Sequence, residues 1–315
     1  MKRCFLYPGQ GAQYVGMGQD LYDRYPEAKE LFSMASERAG FDLTALVFSG
    51  SEDDIKSTDR SQVAITAVNL AARRVLATLG INSAAAAGFS LGEYAALVDA
   101  GILAETDALS LVVERGRIME EVSRGLDSPG GSPGMAAVLG IDADAIQQAL
   151  GGAGIGDVYL ANLNSPVQTV LSGTASGLEA AGPVLKEAGA RRVIGLKVSG
   201  PFHSPLMTEA RDRFAEVLAA VAFADPEKPV YSNVTGTLIN TGEEARGLCA
   251  DQLVKPVRWV DEETLIARDD YGELLEVGPG EVLCGLWRAF VKANDDITTP
   301  CLPAGTADHI ATITV

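Results

Sequence analysis

Apolar positions recur along this chain with two periods. Leu91, Tyr94, Ala95 and Val98 fall at helical spacing, and so do the apolar positions from 106 to about 123. Short stretches at 5–7, 84–89, 230–234 and 274–277 read instead as strands. The run at 84–89 is rich in alanine and has weak strand propensity. Strands alternating with helices argue for an α/β layer with a mainly parallel sheet.

The stretch Ser128-Pro129-Gly130-Gly131-Ser132-Pro133-Gly134 interrupts this rhythm and reads as a linker, because neither helix nor strand survives such a run. After it the pattern predicts a strand at 135–140, a short helix capped by Asp142 and running to 150, and a strand at 157–163. Asn164-Ser165-Pro166 then turns the chain into a strand at 167–172, followed by a helix at 175–188 and a last strand at 191–198. This β-α-β-β-α-β order is the ferredoxin-like split unit. Residues 126–198 should therefore form a small inserted domain, leaving a discontinuous large domain of 1–125 plus 199–315. The length of 315 residues fits two domains.

Composition narrows the function. With 47% hydrophobic residues the chain has enough apolar surface to fold, so a disordered chain is excluded. A net charge of −17 with no basic run argues against nucleic acid. A phosphate-bearing substrate would need a local cationic patch. Lys186, Arg191, Arg192 and Lys197 are close enough in sequence to form one, unless they simply make a solvated face. The apolar run in the first nine residues is shorter than the roughly 7–15 residues of a signal peptide's core. No stretch approaches the ~18 apolar residues of a membrane span. A cytoplasmic protein without membrane contact is expected. Cys4, Cys249, Cys284 and Cys301 have neither C-x-x-C spacing nor histidines at ligand spacing, so free thiols and no metal site are expected.

Gly88-Phe89-Ser90-Leu91-Gly92 fits G-x-S-x-G, a serine on a sharp strand-to-helix turn. Side chains two residues either side of the serine would collide in so tight a turn. The helix N-terminus that follows favours a developing anion. The alternative is an ordinary serine in a turn. A nucleophilic serine needs a base, and the chain has only His203 and His309. His309 lies in a polar stretch near the C-terminus. His203 lies in Ser199-Gly200-Pro201-Phe202-His203-Ser204-Pro205, a stiff loop after the last strand of the insert, and is the favoured partner by elimination. A structural loop histidine is the alternative.

Two further features carry chemistry. On the helix at 106–123, the residues three and four away from Arg117 are mostly charged, whereas those around Arg115 are Leu111, Val112, Ile118 and Met119. A guanidinium on the buried stripe is costly unless an anion meets it. That anion is either a structural carboxylate or a ligand's. Pro8-Gly9-Gln10-Gly11-Ala12-Gln13 follows a strand but fails the dinucleotide pattern at Tyr14, and it is not a P-loop. It is a plain turn, or it offers a backbone N–H to an oxyanion beside the N–H of Leu91.

Taken together, these segments resemble the malonyl-CoA:acyl carrier protein transacylases. The resemblance rests on the segment from Tyr7 to Gln13, on Gly88 to Tyr94, on Arg115-Gly116-Arg117-Ile118-Met119, and on Asn162-Leu163-Asn164-Ser165-Pro166-Val167-Gln168. Pro201 to Ser204, Gln252-Leu253, Pro256-Val257-Arg258-Trp259 and Glu276 to Gly280 complete it, covering nearly the whole chain in the family's order. It implies a hydrolase-like large domain, Ser90 as the acylated nucleophile and His203 as its base. Backbone N–H groups of Gln10 and Leu91 would form the oxyanion hole, and Arg115 would bind the malonyl carboxylate. Gln252 would support the histidine through its backbone carbonyl, with no acidic third member. Asn162 and Phe202 are implied in the substrate cleft, and Phe202 resembles malonyl-selective members. No cofactor is implied, coenzyme A thioester being the substrate, and a monomer is. The partner would be an acyl carrier protein of fatty-acid or polyketide synthesis, docked on Arg191, Arg192 and Lys197 with Lys255. One departure is Phe89, where the family usually has histidine; it changes the polarity of the elbow and removes a rival base. A serine esterase or thioesterase would share Ser90 and His203 without needing Arg115. A non-catalytic acyl-CoA or carrier-protein binding module would need no nucleophile.

Overall fold

The computed structural model describes residues 1–314. Its strands, in chain order, are β1 (Arg3–Tyr7), β2 (Ala85–Gly88), β3 (Gly134–Leu139), β4 (Val158–Ser165), β5 (Gln168–Gly173), β6 (Arg192–Gly195), β7 (Glu273–Glu276) and β8 (Cys301–Pro303). They make two sheets. One runs β2-β1-β7-β8 with every pair parallel, and the other β4-β5-β3-β6 with every pair antiparallel.

The parallel sheet is covered on both faces, which is why its strands appear as continuous apolar runs rather than alternating ones. Phe5, Tyr7, Ala86 and Leu275 face one core, while Cys4, Leu6, Ala85, Ala87 and Leu274 face the other. Helices Pro26–Ala39, Thr58–Thr78 and Glu105–Gly125 pack together on the first side. Trp259 and Ile266 of helix Trp259–Arg268, with Trp287 and Phe290 of helix Val282–Lys292, fill the second. Alanine is a poor strand former, yet β2 holds because it pairs with β1 from Cys4–Ala85 to Tyr7–Gly88 and because small side chains suit a strand buried on both faces.

The second unit follows the expected element order. Asp142 caps helix Ala143–Gly152 by accepting from the Ala145 N–H, and Thr174 caps helix Ala175–Glu187 through Gly177. The pleat sorts its side chains. Val138 and Leu171 meet Ile146, Leu150, Ala181 and Leu185 in a separate small core, while Met135, Ala161 and Val170 join the large one. The β4 edge is tied to the segment at Val257 by two backbone hydrogen bonds, Leu163 N–H to Val257 O and Val257 N–H to Ala161 O, both 2.8 Å.

Two strand expectations are corrected. At 230–234 there are only single bridges, Val230 to Ala86 and Tyr231 to Leu238. The chain turns straight away, with the Gly236 N–H on Ser232 O at 2.8 Å, and no ladder can grow. The strand expected at 191–198 ends at Gly195, opposite Ala136; one more backbone bond follows, Leu196 N–H to Met135 O at 2.9 Å, and residues 196–198 then line a cleft. Among the described residues no helix is long and apolar enough to cross a membrane.

Candidate active site

Ser90 stands at the tip of β2, on a 3₁₀ turn (Ser90–Gly92) that leads into helix Glu93–Asp99. The turn is as tight as its glycines suggest. A Cβ on Gly92 would lie 1.9 Å from the Tyr7 carbonyl oxygen, and one on Gly88 2.2 Å from the Gly92 carbonyl carbon. Ser90 (φ 51°) and His203 (φ 57°) are the only non-glycine residues with positive φ among the described residues. Such backbone costs on the order of 1–2 kcal/mol per residue and persists only where the surroundings impose it.

The two strained residues meet. Ser90 Oγ lies 2.8 Å from His203 Nε2, and His203 Nδ1 lies 2.7 Å from the Gln252 carbonyl oxygen. A carbonyl only accepts, so Nδ1 carries the proton and Nε2 turns its lone pair to the hydroxyl. Burial, helped by the charge of Arg115, holds the imidazole at about 4, so it is neutral at pH 7. A neutral imidazole bonded to a hydroxyl can remove its proton.

Arg115 lies on the buried stripe of its helix, 1% exposed. Its Nη1 donates to Gln62 Oε1 and its Nη2 to Gln252 Oε1, both at 2.9 Å, and its Nε has no partner. Its facing groups are therefore neutral amides rather than the structural carboxylate that was one alternative. The Tyr94 ring lies 5.6 Å from the guanidinium carbon. Arg117, two residues on, points outward and pairs with Glu114 and Glu121 at 2.7 Å each. Ser90, His203, Arg115, Gln10, Asn162 and Phe202 all line one cleft of about 340 Å³.

The Pro8–Gln10 loop abuts the elbow: a Cβ on Gly9 would lie 3.4 Å from the Leu91 nitrogen. Neither the Gln10 nor the Leu91 N–H finds an acceptor among the described residues. Phe89 lies edge-on to Trp259, with centroids 5.4 Å apart, so the elbow rests on aromatic packing. His309 lies apart, in the short helix Ala307–Ala311. Lys186, Arg191, Arg192 and Lys197 are exposed. Lys197 stands with Lys56 at the cleft. Lys255 is spoken for by Asp251 at 2.7 Å.

Three residues that sequence reasoning missed complete the arrangement. Gln62 and Asn233 are fully buried polar side chains, and Glu93 is 2% exposed. Asn233 Oδ1 accepts the Ser90 N–H at 2.6 Å, and its Nδ2 donates to Gly88 O at 2.7 Å. Glu93 carried a readable signal, a carboxyl beside Tyr94, Ala95 and Val98 on an apolar helix. Gln62 and Asn233 carried none, since their value lies in contacts distant in sequence.

A family model described as the acyl transferase domain matches residues 4–306. The malonyl CoA-acyl carrier protein transacylase of Bacillus subtilis is 41% identical over 293 residues, covering 90% of this chain and 89% of that one. The crystal structure of an acyl carrier protein S-malonyltransferase from Vibrio cholerae superposes with a TM-score of 0.92 at 37% identity, covering 100% of both chains. A malonyl-transacylase solved in complex with a holo type II polyketide-synthase acyl carrier protein has a TM-score of 0.92 at 36% identity, covering 99% of this chain and 98% of that one. With its mixed α/β fold and these relatives, the chain belongs to the malonyl-CoA:acyl carrier protein transacylase family of acyltransferases.

Proposed function

We propose that this protein moves malonyl from malonyl-CoA to the phosphopantetheine thiol of an acyl carrier protein through a malonyl ester on Ser90. The observation that carries this is the Ser90–His203 contact of 2.8 Å, beside a buried arginine with free N–H groups in the same cleft. Ser90 Oγ attacks the thioester carbonyl as its proton passes to His203 Nε2. The Gln10 and Leu91 N–H groups receive the oxyanion, one such donor being worth roughly 3–4 kcal/mol. The carbon–sulfur bond breaks, and the coenzyme A sulfur leaves with the proton from His203. The carrier thiol then gives its proton to His203 and attacks the ester carbonyl; the carbon–oxygen bond to Ser90 breaks, and His203 returns the proton to Ser90 Oγ. Gln252 holds the imidazole tautomer through its carbonyl, and no cofactor enters. Arg115 binds the malonyl carboxylate by a fork of two N–H groups. Asn162 and Phe202 shape the cleft.

On this reading the parallel-sheet unit, 1–125 plus 199–315, is the hydrolase-like catalytic domain. Residues 126–198 are a ferredoxin-like insert, supported by the β-α-β-β-α-β order and the β4-β5-β3-β6 sheet. The protein works as a cytoplasmic monomer, away from nucleic acid and membrane, in fatty-acid or polyketide synthesis. Its carrier protein docks on Arg191, Arg192 and Lys197, while Lys255 is left to its pairing with Asp251.

The test is mass spectrometry after mixing with malonyl-CoA. A malonyl increment on the Ser90 peptide, discharged faster by pantetheine thiol than by water, is expected. An adduct lost chiefly to water would make the protein an esterase, and no adduct would make it a binding module.

A further inference from the structure

Beneath the elbow lies a buried carboxyl that the mechanism above does not use. Glu93 opens the helix that follows the Ser90 turn, and its Oε2 accepts a hydrogen bond from Gln252 Nε2. Its Oε1 accepts the Asn233 backbone N–H at 3.3 Å. Each of these partners holds part of the site. Gln252 receives His203 Nδ1 on its backbone carbonyl and Arg115 Nη2 on its side-chain oxygen, and its Nε2 also reaches the Ser90 carbonyl at 3.1 Å. Asn233 receives the Ser90 N–H and braces Gly88. A single carboxyl thus joins the carriers of the serine, the imidazole and the guanidinium.

We infer that Glu93 is a positioning residue for malonyl transfer, its carboxyl fixing the Gln252 side chain and thereby setting His203 and Arg115 relative to Ser90. The inference rests on the roles proposed above for those three residues. The choice of an acid has a physical reason. Two N–H donors approach, one per oxygen, and only a carboxyl accepts both; an amide would turn its own NH₂ toward one of them. Burial pushes this carboxyl up to about 7, against the pull of the Gln252 and Asn233 hydrogen bonds and the Arg115 charge. Such a cost is hard to explain as packing, since a buried carboxyl without a task is readily replaced by an apolar side chain. Glu262, whose Oε1 accepts from Asn233 Nδ2 at 2.8 Å, is the second acid of the cluster, and it is itself raised by burial and then by Glu93.

The test is the single-turnover rate of malonyl-Ser90 formation in wild type, Glu93→Gln, Gln252→Met and the double variant, with melting temperature measured alongside. Gln252→Met keeps the backbone carbonyl that holds His203 and removes the side-chain amide that Glu93 anchors, with its contacts to Arg115 and the Ser90 carbonyl. Each single variant is expected to lose about 10–100-fold in rate, the scale of a misplacement near 1 Å. KM for malonyl-CoA should stay within about threefold, marking an effect on the chemical step. The double variant should lose less than the product of the two single losses, because both variants break the Glu93–Gln252 contact. Should Glu93→Gln fail to fold, Glu93→Asp, which keeps the acid but shortens its reach to Gln252, takes its place, and a wild-type acylation rate there would equally overturn the inference. A Glu93→Gln enzyme that acylates Ser90 at the wild-type rate, or losses that simply multiply, would overturn the inference. A wild-type enzyme that never acylates Ser90 would sink the proposed function and this role with it.

Discussion

Arg115→Ala is the substitution whose consequences can be worked out furthest. Arg115 donates to Gln62 and Gln252, leaving Nε and one N–H on each Nη free of its five donors. A malonyl carboxylate can take two of these. A hydrogen bond to a charged group is worth about 1.5–3 kcal/mol, so the pair supplies about 3–6 kcal/mol, or about 10²–10⁴-fold in kcat/KM. Acetyl-CoA offers no carboxylate and gains nothing from the cation, which its binding leaves buried and unpaired. Removing Arg115 should therefore cut malonyl transfer by that factor and leave acetyl transfer unchanged or faster. The ratio of the two is read by following malonyl- and acetyl-CoA consumption in the same preparation. Acetyl transfer is also an internal control, because Arg115 contacts Gln252, on which His203 depends. A common fall in both rates would mean that the arginine only supports the site, and an unchanged ratio would refute its role in selecting malonyl. The substitution also orphans two buried amide oxygens, a cost of about 1–3 kcal/mol each, so a lower melting temperature is expected.

Two other outcomes follow from the electrostatics. A protonated imidazole cannot accept the Ser90 proton, so activity should fall as pH drops through the His203 pKa, and with that held at about 4 the acid limb of kcat/KM should lie well below the ordinary imidazole value of about 6.5. Bound malonyl offsets the Arg115 charge, so the limb in kcat should sit above that in kcat/KM; a kcat/KM limb at or above the ordinary value in a pH–rate profile contradicts the buried, neutral base. Reversing both Arg191 and Arg192 to glutamate should raise KM for the carrier protein several-fold at low salt while sparing KM for malonyl-CoA, and equal carrier-protein KM values would dismiss the docking patch.

Much of this was legible in the sequence where local rules decide. The elbow glycines, the capping aspartate at 142 and the β-α-β-β-α-β order depend on steric and hydrogen-bonding preferences that act within a few residues. The contrast between Arg115 and Arg117 is helical periodicity, and the structure buries one and exposes the other as that periodicity required. What stayed hidden depends on long-range contacts. Gln62 meets Arg115 across 53 positions, and Asn233 meets Ser90 across 143. An amide inside a helix or a loop looks the same in sequence whether it faces water or a guanidinium. The strand expected at 230–234 failed for a related reason. Val230, Tyr231 and Val234 are buried as a strand's would be, but a turn closed at Gly236 before a ladder could form.

The Ser90–His203–Gln252 alignment also bears on synthesis of the chain. Its hydrogen bonds close loops of 113 and 49 positions, and the first encloses the entire inserted unit. Contacts of such separation are entropically slow to form and come late in folding. A ribosome-bound chain that has released β2 and its turn therefore already displays the serine but has neither the ring nor the carbonyl that would arm it. Reactivity toward thioesters is thus withheld until most of the polypeptide has emerged, and a product terminated before Gln252 lacks the contacts that arm the serine.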